Sequence, residues 1–471
     1  MSAWVLKDGE YPQIEGIDKA QPFSYTEPYP KWMWRISEGD YPYLAPLTNS
    51  GEFPSEKYKV AISKPIRQTK ITGAITIDDT VMVNIENDII KSLSKCNNCM
   101  NSDLLLPGAA NAAEFGLDIK LPSGWSAEFF YGTRISLSFW LKLEDGTWEE
   151  CPLGAFTPAE VTQSTPGFVN IIGYDDMAKL KNISIDDLGT EVDYTYFNTP
   201  ATWLKAISAL SGIPLAQTYD ELYALPNGDC EIMLHNFGDI ETLWDALENI
   251  CRLTNCFAFI NRYGKLELCE LKAKKADREI KANMRFFESF SAVDYQTHSL
   301  STSVTYHSGD YGIYSYTAQS DTAGGVECEL PEIRPLSRMS TGTSAPQSVL
   351  NNIYNSLKTA VFRPFETEIC EDPSLEIGDW VRFVGLDGSE IVSPITSYRW
   401  TWRSNHTLSA CGMDTVTGTV KSRLEKKSQA QTKEFIADII EAEAKSINSW
   451  NDLSQYTWEE AARFTWNQLG G

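Results

Sequence analysis

The sequence predicts a mainly β protein with an α+β insert. Three observations predict it: apolar residues alternate with polar ones on both sides of residues 181–278, the apolar spacing turns helical within that stretch, and turns built on Gly or Asp separate the alternating runs. Tyr131 to Leu180 shows the first pattern best. There Ile135, Leu137, Phe139, Leu141 and Leu143 hold every second position, with Arg134, Ser136, Ser138, Trp140 and Lys142 between them, so one face of a strand is buried. Asp145-Gly146 supplies the positive torsions of a tight hairpin and Trp148 opens the returning strand. A further pair of alternating segments ends at Ile171-Ile172-Gly173-Tyr174, and Asp175 to Leu180 reads as a short helix.

A chain of 471 residues is too long for one core and implies roughly two to four domains. Residues 1–54 form an arm rich in Tyr, Trp and Pro, in which Asp8-Gly9-Glu10-Tyr11-Pro12 recurs as Glu38-Gly39-Asp40-Tyr41-Pro42. Proline blocks helix and central strand, and Trp4, Tyr11, Trp32, Trp34 and Tyr41 are costly to leave in water, so the arm packs along its own body or a neighbouring subunit. A carbohydrate-binding surface of exposed aromatics is the alternative. In residues 55–180, Lys57 to Ile62, Ile71 to Ile77 and Val81 to Ile85 read as strands, with Asp78-Asp79 as a turn; Phe115, Leu117, Ile119 and Leu121 alternate later. With the segments after Tyr131 this makes roughly seven or eight antiparallel strands, for which a closed or nearly closed barrel is the usual solution.

In residues 181–278, Trp203, Leu204, Ile207 and Leu210 lie at helical spacing before the stop signals Gly212 and Pro214. Leu243, Trp244, Leu247, Ile250 and Cys251 repeat the pattern, and Phe257 to Leu268 forms a hairpin turning on Asn261-Arg262-Tyr263-Gly264. Residues 279–417 return to strands at Val304 to Tyr306, Tyr311 to Tyr316 and Pro364 to Cys411, around a helix at Val349 to Leu357. Residues 418–471 read as a helical tail, with Ile436, Ile440 and Ile447 on one stripe but Glu443 breaking the heptad seam. Trp450, Trp458 and Trp466 each follow Ser449, Thr457 or Thr465, which have Asp452, Glu460 or Gln468 three places on, a capping arrangement for successive short helical turns. Such a tail cannot bury its indoles alone, so these tryptophans and isoleucines are the candidate docking residues for a partner or for trimer mates.

The charge of −24, from 40 basic and 64 acidic residues, disfavours ordinary nucleic-acid binding and suits either solubility or a wall past which DNA slides without sticking. Ten scattered cysteines without a secretory signal at Met1-Ser2-Ala3-Trp4 read as reduced thiols of a cytoplasmically made protein. No apolar run reaches the ~20 residues of a membrane helix, so no membrane insertion is expected. Cys96-Asn97-Asn98-Cys99 is the one CxxC; without a second pair or spaced histidines it reads as a reduced loop pair, with a metal site as the alternative. GxSxG and HExxH are absent, and the adjacent acids Glu149-Glu150 and Asp175-Asp176 do not make a glycosidase pair. Glu376-Ile377-Gly378-Asp379 reads as a strand-entry turn. No cofactor and no catalytic residue is assigned, and the chain is expected not to be an enzyme.

Four motifs carry a family resemblance: EDGTWEECPLGAF, VNIIGYDDMAKL, FAFINRYGKLEL and DPSLEIGDWVRF. In this order they resemble the baseplate or tail-tip hub proteins of tailed phages and prophages of Gram-positive bacteria, over about Tyr58 to Gly412. The resemblance implies two tail-tube-like barrels per chain and a homotrimer forming a pseudo-sixfold ring. It implies a structural hub at a virion tail tip or baseplate, assembled in the host cytoplasm, that joins the tail tube or distal tail protein to a tip, spike or fibre protein. The tape-measure protein and transiting DNA would occupy its lumen. A carbohydrate-binding or receptor-binding module and a tail-associated peptidoglycan hydrolase are the alternatives.

Overall fold

A computed structural model describes residues 53–410 except 65, 101–103, 166, 191–196, 235–238, 292, 307–311, 320–324, 339–344 and 385–389. The arm residues Trp4, Tyr11, Trp32, Trp34 and Tyr41 and the tail residues Ile436, Ile440, Ile447, Trp450, Trp458 and Trp466 lie outside the described residues. The described helices and strands all belong to the unit that begins at Glu56.

That unit opens with a helix, α1 (Glu56–Ile62), where a strand is expected. Tyr58, Val60 and Ile62 alternate in sequence, but the buried set is Tyr58, Ala61 and Ile62, while Val60 is exposed. The buried face therefore follows helical spacing. The strands β1 (Thr69–Ile77) and β2 (Thr80–Glu86) follow, joined by Asp78 and Asp79 at φ 45° and 62°, the left-handed pair a two-residue hairpin requires. Next come β3 (Ile90–Asn98), β4 (Glu114–Lys120), β5 (Arg134–Lys142), β6 (Trp148–Thr165) and β7 (Phe168–Tyr174). In β5 the side chains of Ile135, Leu137, Phe139 and Leu141 are buried, as the alternation predicts.

The insert contains α2 (Pro200–Ser211), α3 (Tyr219–Tyr223), α4 (Leu243–Leu253) and the hairpin β8 (Cys256–Ile260) with β9 (Leu266–Glu270). Thr199 caps α2 ahead of Pro200, and Gly212 ends it in the left-handed region. Thr242 and Asp245 form a capping box on α4. Every residue of β8 is buried. The backbone of Gly108 donates to Cys256 and that of Ala258 to Ala109, both at 2.8 Å, so the hairpin is tied to the segment before β4.

The remaining elements are β10 (Arg278–Ile280), β11 (Arg285–Phe290), β12 (Thr297–Tyr306), β13 (Gly312–Gln319), β14 (Val326–Glu329), α5 (Ala345–Leu357), β15 (Phe365–Cys370), β16 (Trp380–Val384), β17 (Glu390–Pro394), β18 (Ser397–Thr401) and β19 (Asn405–Ala410). The main sheet has eleven strands in the order β11-β15-β19-β18-β3-β4-β7-β6-β5-β1-β2. The mainly β class with an α+β insert thus holds, but neither sheet-rich region closes into a barrel among the described residues. The cause is the antiparallel pairing of β18 with β3, Ser397 opposite Asn98 through Thr401 opposite Ser94, which continues one region's ladder into the other's. Within this ladder β6 serves two neighbours: Trp148 to Phe156 pair with β5, and Thr157 to Thr165 with β7.

Candidate functional site

Three of the four motifs that carry the family resemblance meet in one cluster of charges, and the remaining one fixes the end of β7. The first motif reaches it through a β-bulge. Leu137 opposes Gly154 and Ser138 opposes Pro152, leaving Leu153 as the extra residue, and Gly154 takes φ 108° as such a bulge needs. The adjacent Cys151 is fully buried. The third motif supplies Arg262 from the turn between β8 and β9. Its Nε donates to Glu376 Oε2 at 2.9 Å, its Nη1 to Cys151 Sγ at 3.1 Å and its Nη2 to the Ser374 carbonyl at 2.7 Å.

The fourth motif closes the cluster from the turn leading into β16. Glu376 also faces Lys95 of β3, Nζ to Oε1 at 3.6 Å. The Glu376 backbone N–H donates to Asp379 Oδ2 at 2.9 Å, and Ser374 donates to Asp372 Oδ1 through both N–H and hydroxyl, at 3.1 and 2.6 Å. Arg278 of β10 donates to Asp372 Oδ2 and to Ser374 Oγ, both at 2.8 Å. Gly378 lets the turn approach the hairpin: at φ 86°, a Cβ there would stand 2.9 Å from both Cys269 Sγ and Phe257 Cζ.

The second motif contributes a buried cap. Asp175 accepts from the backbone N–H groups of Ala113 and Met177, each at 3.0 Å, which fixes the exit of β7. Asp176 beside it takes a two-pronged bond from Arg134, both prongs at 2.7 Å, and an ion pair with Lys179 at 2.8 Å.

Burial sets the protonation of these groups. It pushes the Asp175 and Asp379 carboxyls up to about 7 against the hydrogen bonds they accept, and the Cys151 thiol up to about 12 despite the neighbouring Arg262 charge. It also depresses the Lys95 ammonium, which Glu376 partly opposes. Arg262 stays cationic because the Glu376 carboxylate outweighs the burial of its guanidinium with help from other neighbours. A thiol held protonated is not a nucleophile at neutral pH. The arrangement does something different: it ties β3, β6, the insert hairpin and the β16 turn into one joint, in which losing Arg262 or Glu376 leaves the other's charge uncompensated.

Sequence reasoning reads Arg262 as part of a hairpin turn and Glu376 to Asp379 as a strand-entry turn, whereas the structure buries Arg262 and half-buries the two acids beside it. Cys96 stands in β3 and Cys99 just beyond it, and neither takes part in a disulfide. Among the described residues no group of three His, Cys, Asp or Glu side chains is placed to hold a metal ion, and no helix is long and apolar enough to cross a membrane.

No protein-family model matches the chain, and no curated protein matches it in sequence. Its fold is similar to that of phage and prophage tail proteins. One is the tail protein from Neisseria meningitidis MC58, with 10% identity, covering 73% of this chain and 98% of that one at a TM-score of 0.45. Another is the 43 kDa tail protein of prophage MuSo2 from Shewanella oneidensis, with 11% identity, 72% and 97% coverage and a TM-score of 0.45. A third is the prophage tail protein gp18 from Listeria monocytogenes EGD-e, with 13% identity, 78% and 99% coverage and a TM-score of 0.43.

Proposed function

We propose that the chain is a structural hub of a phage tail tip or baseplate that joins copies of itself into a trimeric, pseudo-sixfold ring and has no catalytic role. The observation that carries this reading is the pair of open ends on the eleven-stranded ladder. Among the described residues β2 pairs only with β1 and β11 only with β15, and both edges expose apolar side chains: Val81, Met82 and Phe286. Unpaired, apolar edges are templates for another strand, and natural monomers blunt them with charge or cover. Two different edges meeting head to tail form a ring when the rotation closes. The ordered motifs and the joint that three of them build support the same reading, because a ring that bears load needs its halves fixed. The charge of −24 suits a lumen that repels passing DNA. In this role the ring sits between the tail tube or distal tail protein and a tip, spike or fibre protein, with the tape-measure protein inside.

The test is mass in solution. The full chain at micromolar concentration should weigh three times its 52.8 kDa, and Met82→Lys combined with Phe286→Lys should yield a folded monomer. A wild-type monomer at that concentration would sink the reading.

A further inference from the structure

An open cleft of about 410 Å³ is lined by Arg67, Gln68, Thr69, Glu371 and Arg403. Arg67 is anchored there: its Nη1 donates to the main-chain oxygens of Ile62 and Glu371, both at 2.8 Å. Among the described residues its Nε and Nη2 meet no acceptor. Arg403 lays its guanidinium over the Trp402 ring at 4.1 Å, and among the described residues that guanidinium makes no ion pair or hydrogen bond. Its main-chain N–H donates to Glu371 Oε1 at 3.0 Å. Arg403 also sits at φ 57° in the turn between β18 and β19, where Gly or Asn would be less strained, so the turn keeps an arginine at a backbone cost. Strain retained at one residue points to a use for its side chain.

Two guanidiniums with unspent donors, an amide and a hydroxyl thus share one open cleft on a chain of strongly negative net charge. We propose that this cleft binds a small oxyanion, a carboxylate or a sulfate- or phosphate-like group. Arg67 supplies a fork already fixed by the backbone, and Arg403 a second fork stacked on an indole; planar donors of this kind match oxyanion geometry. Glu371 makes the site proton-linked. Burial pushes its carboxyl up to about 7, against the Arg403 N–H and the Arg67 and Arg403 charges and with help from Asp372. An arriving anion repels the ionised form, so binding draws in a proton near neutrality.

The experiment is calorimetric titration of the full chain with sodium sulfate, against sodium chloride at matched ionic strength, at pH 6 and pH 8. Sulfate keeps its charge across that range. Saturable binding of sulfate is expected, tighter at pH 6. Arg403→Gln should weaken it roughly tenfold while lowering the melting temperature in chloride only slightly, because that side chain's fold contact is the stack on the indole. Glu371→Gln should flatten the pH dependence. A parallel titration with glutarate separates the sources: preference for glutarate assigns the cleft to a carboxylate, preference for sulfate to a free inorganic anion. Sulfate behaving as chloride does, or Arg403→Gln binding as the wild type does, would overturn the proposal.

Discussion

Arg262 and Glu376 stand 114 residues apart in the chain and 2.9 Å apart in the fold, with their side chains only 8% and 14% exposed. This contact joins the insert hairpin to the turn before β16, and Cys151 of β6 and Lys95 of β3 close around it. Removing one member of a buried pair leaves the other uncompensated, at a cost of about 3–5 kcal/mol. Arg262→Ala should therefore lower the denaturant midpoint sharply. Arg262→Lys should fall between it and the wild type, since an ammonium keeps the charge but cannot serve Glu376, Cys151 and Ser374 together.

Gly378→Ala tests the close approach of that turn to the hairpin. The added methyl meets sulfur and ring carbon at 2.9 Å, and the backbone is left-handed, so both packing and torsion oppose it. A loss of about 2 kcal/mol or more in chemical unfolding is expected. Gly146, also left-handed but with open space around it, should lose less on the same change.

Asp379 sets a pH dependence. Its folded pKa, raised to about 7 by burial, exceeds that of the unfolded chain, so between pH 4 and pH 7 the folded state holds a proton the unfolded state has released. Stability from this group is full below the unfolded value and falls as pH rises through that window, by at most about 1.4 kcal/mol per pH unit. Asp379→Asn, which keeps an acceptor for the Glu376 N–H, should remove this slope. The difference between the two unfolding curves at pH 5 and pH 8 measures it.

Cys151 should resist alkylation in the native protein at pH 8, because its thiol is buried and its pKa is pushed up to about 12. Peptide mass spectrometry after a brief iodoacetamide pulse should find it unmodified until denaturant is added. Labelling at the rate of a half-exposed cysteine such as Cys370 would show that the joint opens readily.

Local chemistry is legible where one short stretch decides the outcome. Asp78-Asp79, Asp145-Gly146 and Asn261 to Gly264 read as turns and are turns, and Gly212 ends α2 where it reads as a stop signal. The strand β3 gives no such signal because its inward positions include Lys95 and Asn97, which break the apolar alternation. The helix α1 reads as a strand because Val60 supplies a false period of two. The joining of β18 to β3 has no local signature at all: antiparallel partners so distant in the chain are chosen by the whole fold. The cluster is hidden for a related reason. Arg262, Glu376 and Asp379 carry the residue types of solvated turns, and only the meeting of distant turns buries the arginine and half-covers the two acids.

The strand β6 carries a further consequence. Because Trp148 to Phe156 belong to one ladder partner and Thr157 to Thr165 to another, the two parts of the ladder meet through the continuous backbone of β6 between Phe156 and Thr157. Thr157→Pro should therefore loosen the ladder on both sides at once, read as faster amide exchange in β5 and in β7.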